Sequence, residues 1–89
     1  MHTDEYEIAL SRELGVCEGL VSRLRRALAR LEERHGMTTA AFLARHAQGG
    51  LPAEEDFKEW RTAADELRRW IAARDEYERL LAVMKVSAS

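Results

Sequence analysis

Cysteine is almost missing from this chain of 89 residues: Cys17 stands alone, so no intramolecular disulfide can form. A single proline and five glycines exclude a collagen-like repeat, and 46% hydrophobic residues exclude a disordered tail. No uncharged stretch approaches the roughly 20 apolar residues that a membrane-crossing helix needs. No charged-then-apolar leader with a small-residue cleavage site opens the sequence, and the expected location is cytoplasmic. An excess of one charge is also lacking. Fourteen basic against 16 acidic residues leave a net charge of -2, which removes the usual electrostatic reason to expect nucleic acid or an anionic membrane as partner. What is abundant is charge of both signs, 34% of residues, interleaved with aliphatic side chains at helical spacing.

Two breaks divide the chain. His35-Gly36-Met37-Thr38 places glycine where a helix commonly ends and threonine where the next is capped, and Gly49-Gly50-Leu51-Pro52 ends the segment after it. The spacing predicts a first helix over residues 3–35, a short helix over 39–47, a third helix over 53–85 and a frayed tail over 86–89. In the first helix Leu10, Leu14, Cys17, Val21, Leu24, Leu28, Leu31 and His35 follow alternating steps of four and three, the spacing of a heptad seam. Phe57, Trp60, Ala64, Leu67 and Ile71 repeat the pattern, and the seam then turns polar through Arg74 and Glu78 before Leu81. Gly15 and Gly19 leave a break near Leu14 open, because each glycine costs roughly 1 kcal/mol in a helix interior.

These periods define an all-α, single-domain protein. It is a long antiparallel hairpin, with the short helix folded across its open end through Phe42 and Leu43. In this register Leu31 faces Phe57, Leu28 faces Trp60, Val21 faces Leu67 and Cys17 faces Ile71. Arg23, Arg25, Arg26, Arg30 and Arg34 then lie beside the acidic group Glu54, Glu55, Asp56, Glu59, Asp65 and Glu66, which is expected to neutralise them. The acidic start, with Asp4, Glu5, Glu7, Glu13 and Glu18, lies beside Arg68, Arg69, Arg74 and Arg79. A second apolar band, with Ala9, Val16, Leu20 and Ala27 on one helix and Ala63, Trp70, Tyr77 and Leu81 on the other, is surplus to a two-helix seam. It predicts a homodimer, two hairpins forming a four-helix bundle. Arg74, on the seam, is expected to form a buried ion pair with Glu13, Glu18 or a carboxylate of the second subunit.

Little in the chain suggests catalysis, cofactor binding or a metal. There is no glycine-rich phosphate loop, nucleophile elbow or paired-cysteine pattern. Cys17 reads as a small core hydrophobe. Glu32 and His35, three apart on a helix, match half of a di-iron carboxylate motif, but a last-turn histidine beside Gly36 is already favoured by the helix dipole, as is His46. Trp60 and Trp70 sit on apolar bands as core and interface anchors respectively.

The segment Leu31-Glu32-Glu33-Arg34-His35-Gly36-Met37-Thr38, then Phe42, Gly49-Gly50 and Asp56-Phe57-Lys58-Glu59-Trp60, resembles a group of small all-α bacterial and archaeal proteins. Those share a "YGM-S/T" turn, a phenylalanine, a glycine-containing loop and a "DF-x-EW" helix start. His35 stands where their tyrosine is usual, and the long first helix is an addition. Such proteins are often the small partner in toxin-antitoxin pairs, so the resemblance implies an antitoxin-like partner of a small toxin. The expected function is a non-enzymatic protein-protein interaction module contacting its partner through the outer face of the third helix and the short helix around Phe42. The alternatives are a self-assembling structural or adaptor bundle, or a metal-binding bundle.

Overall fold

The computed structural model describes residues 5–88. The predicted first two residues of the first helix, Thr3 and Asp4, together with His2 and the end of the tail at Ser89, lie outside them. The chain forms three helices in order: α1 (Glu5–His35), α2 (Thr39–Ala47) and α3 (Glu55–Ala88). α1 runs along α3 as an antiparallel hairpin, and the molecule measures 59 × 20 × 17 Å.

Each helix end has a local chemical cause. Gly36 adopts φ 63°, a conformation that only a residue without Cβ takes easily, and Met37 N–H then reaches back to the Glu32 carbonyl at 3.3 Å. Thr38 caps α2, its hydroxyl accepting from Ala41 N–H at 3.1 Å. α2 closes in the same manner as α1: Gly49 has φ 71° and Gly50 N–H returns to the Arg45 carbonyl at 3.0 Å. Beyond Pro52, Phe57 and Lys58 both donate to the Glu54 carbonyl, which sets the start of α3 at Glu55. No glycine or proline comes after Pro52, so α3 continues through residues 86–88, where a frayed tail is predicted. Gly15 and Gly19 do not break α1. They lie on its exposed side with no neighbouring group within 4 Å of where a Cβ would stand.

The core is gathered at the connected end of the hairpin. Leu28 and Leu31 from α1, Phe42 from α2, and Phe57 and Trp60 from α3 form one buried cluster, fringed by Met37, Leu43, Leu51, Ala63, Ala64 and Leu67. The predicted register is consistent with this grouping. α2 lies here, at the connected end and not across the open end as expected, because the short links on either side tether it to the turn. Leu10, Cys17, Val21 and Leu81 are buried further along the seam.

Two helices alone cannot surround every seam residue. Leu14, Leu24, Leu67 and Ile71, predicted for the core, are only half-buried. Leu81, assigned by its spacing to the dimer band as well as to the end of the seam, is buried within the single chain. Arg74 also differs from its expected role. Its side chain is 26% exposed and its guanidinium turns along its own helix to Asp75, at 3.1 Å, and Glu78, at 3.4 Å, rather than crossing to Glu13 or Glu18. A long aliphatic stem lets arginine cover a seam while its charge stays wet, so no buried ion pair is needed.

Candidate functional site

The residues of the turn motif meet in space. Trp60, fully buried, stacks on Phe42 with ring centroids 4.2 Å apart and planes within 2°. Its indole N–H donates to the Thr39 hydroxyl at 3.0 Å, which satisfies the one polar atom the ring carries inward. Glu32 accepts from Thr39 N–H at 2.7 Å, binding the start of α2 to the last turn of α1. At the other end of α2, Arg61 donates to His46 Nδ1 at 3.2 Å and to Asp65 at 3.1 Å. α2 is therefore held to both long helices by side-chain hydrogen bonds as well as by Phe42.

His35 completes the cluster. Its ring lies 5.1 Å from that of Phe57 and 5.6 Å from that of Trp60, and Nε2 is 2.9 Å from Asp56 Oδ2. Arg34 donates to the same oxygen at 2.8 Å. The hydrogen bond from Arg34, then that from His35, holds the Asp56 carboxyl below the usual aspartate range, against a smaller opposing effect of burial. The Arg34 guanidinium is correspondingly raised. Its side chain is 60% exposed, so this clasp orients the turn more than it stabilises the fold.

Because its folded pKa lies below the unfolded one, Asp56 contributes stability above the ordinary aspartate value of about 3.9, and the contribution is lost as pH falls through the lowered value. Urea midpoints at pH 7 and pH 2 should therefore differ more for the native chain than for Asp56→Asn. Equal losses on acidification in both proteins would show that the clasp has no energetic role.

The chemistry of this cluster is that of a structural clasp. Among the described residues, no hydroxyl or thiol is hydrogen-bonded to His35, which a nucleophile with its base requires. Glu32 and His35 point to different tasks, one to Thr39 and one to Asp56, and no group of three metal-ligating residues occurs among the described residues. Cys17 is 1% exposed, and burial, helped by Glu13 and Glu18, pushes its thiol pKa up, away from the reactive thiolate.

Two open apolar surfaces lie on either side of the hairpin. Beyond α2, Leu28, Leu43, Ala64, Leu67 and Ile71 line a groove of about 320 Å³. By helical spacing the opposite face carries the predicted dimer band, where Leu20, Trp70 and Ala73 line a groove of about 570 Å³ beside Glu66 and Arg69. Val16 on this face is 50% exposed, and Ala27, Ala63, Trp70 and Tyr77 are half-buried. Phe42, expected to touch a partner, is wholly enclosed, which leaves Leu43 as the apolar residue α2 contributes to an open groove.

The expected neutralisation of the α1 arginines is confined to the turn. Among the described residues, the ion pairs joining α1 to α3 are those of Arg34 and His35 with Asp56. Arg61, Arg68 and Arg79 pair along α3, with Asp65, Asp65 and Glu76 respectively. Arg23, Arg25 and Arg30 have no ion pair or hydrogen bond among the described residues. The heptad period identified the neighbouring helix but not which rotamers reach it. The bonds from Glu32 to Thr39 and from Trp60 to Thr39 escaped sequence reasoning, although the second threonine after the Thr38 cap was a usable signal.

The fold and site define a helical hairpin locked at one end by a short capping helix. No family model, curated protein or solved structure matches this chain. No helix among the described residues is long and apolar enough to cross a membrane.

Proposed function

We propose that this protein is a non-enzymatic protein-protein interaction module that pairs with itself and acts as the antitoxin-like partner of a second small protein. The observation that carries the interaction reading is the uneven finish of the hairpin. One end is sealed by Phe42, Phe57 and Trp60, while apolar residues along the rest of both faces are left half-buried or open. Residues of this kind on a surface rimmed by charge are what a partner covers. The Trp70 face takes the second copy, giving a four-helix bundle. The groove beside Leu43, Leu67 and Ile71 takes the other protein. The toxin-directed part rests on the resemblance of the turn motif.

Co-expression with the product of the adjacent gene is the direct trial. A toxic product that is silenced and co-purifies with this chain supports the antitoxin reading. A product that is harmless alone, with no stable complex at low or moderate salt, removes that reading in favour of a self-assembling adaptor.

A further inference from the structure

Resting on the homodimer reading, we infer that the second copy docks on the Trp70 face with the two-fold axis parallel to the helices, so that α1 of each chain lies antiparallel to α3 of the other and both capped turns stand at the same end.

Charged side chains without an intrachain ion pair border the open apolar rows of both long helices. On α1, Val16, Leu20 and Ala27 form the open apolar row, and Arg23 and Arg30 flank it. On α3, Ala63, Trp70 and Tyr77 form the row, and Glu59 and Glu66 flank it. None of these four side chains forms an ion pair or hydrogen bond with the described residues, and Glu59 acts on Arg34 only at longer range.

A two-fold axis along the helices reproduces the intrachain antiparallel register between chains. Leu20 then meets the partner's Trp70, and Ala27 meets the partner's Ala63. In the same register Arg23 meets the partner's Glu66 and Arg30 meets the partner's Glu59. Symmetry repeats each contact, so four charges per chain that lack an intrachain ion pair all find opposite charges at the rim of an apolar strip. An axis perpendicular to the helices sets α1 against α1 instead. It places Arg23 and Arg30 opposite the stretch containing Ala9 and Val16 and leaves Glu59 and Glu66 without arginines. The charge pattern therefore selects the first arrangement.

Charge reversal tests this on the full chain. Arg23→Glu with Arg30→Glu, and separately Glu59→Arg with Glu66→Arg, should each weaken self-association by about tenfold or more at low ionic strength in sedimentation equilibrium. Mixed together, the two variants should form a dimer at least as tight as the native one, because every α1–α3 contact is again of opposite sign. Circular dichroism checks that each variant keeps native helicity. A second measurement needs no charge change: spin labels on Gln48→Cys, with buried Cys17 left in place, should lie about 30 Å apart, three interlayer spacings of up to 10 Å. Reversals without effect, variants that do not pair with each other, or labels separated by nearly the 59 Å length of one molecule would overturn the arrangement while leaving a dimer intact. A native chain that stays monomeric at every concentration would overturn the homodimer reading as well.

Discussion

Replacing Trp60 by alanine is expected to cost about 3–5 kcal/mol, the range for deleting a large buried aromatic, and to leave the chain with a much smaller margin of stability. Trp60 is wholly enclosed, stacks on Phe42 and belongs to the cluster that joins all three helices. Its loss also removes the donor to Thr39, so the start of α2 is released along with the core. A protein of this length has only about 5–10 kcal/mol of stability in total, of which this one side chain holds a large part. Thermal and urea unfolding followed by circular dichroism provide the measurement. A cooperative transition shifted by less than about 1 kcal/mol would mean that the cluster is not the centre of stability.

The other tryptophan should behave in the opposite way. Trp70→Glu is expected to keep most of the helix content, because Trp70 is only half-buried in the single chain, and to weaken dimerisation by about 30-fold or more. A carboxylate at that point would be desolvated against the partner's Leu20 in the middle of an apolar row. Light scattering and sedimentation read the mass, and circular dichroism separates dissociation from unfolding. A variant with unchanged mass across micromolar concentrations would remove Trp70 from the interface. A variant that unfolds outright would place it in the core.

Much of the architecture was legible because helices announce themselves through period and punctuation. The alternating steps through Leu10, Cys17, Val21, Leu28 and Leu31 specify one buried stripe on α1, and all five residues are buried. Gly36, Thr38 and Gly49 mark helix ends because positive φ and side-chain capping are properties of single residues. The core grouping of Phe57 and Trp60 with Leu28 and Leu31 followed from folding the two heptad seams about a turn centred midway between His35 and Ala53. Within the chain Arg74 pairs with Asp75 and Glu78 instead of Glu13 or Glu18, since a seam position does not specify how a flexible side chain turns.

By itself, then, the sequence determined three helices, the hairpin they form and the stripe that each turns inward, since these depend on local propensity and the 3.6-residue period. Only the tertiary structure decided the degree of burial and the choice of polar partners. A helical period fixes the direction in which a side chain leaves its own axis, whereas burial depends on how many other elements converge there. At the connected end α2 supplies a third wall, and Phe42, Phe57 and Trp60 are enclosed. Along the remaining length there are two walls, which enclose Leu10, Cys17, Val21 and Leu81 on the line of contact but leave Leu14, Ile71 and Trp70 partly open. Asp56 could have met any of several arginines. The geometry of the Gly36 turn brings the neighbours Arg34 and His35 to it together, and that meeting across 22 and 21 positions of sequence exists only once the hairpin has closed.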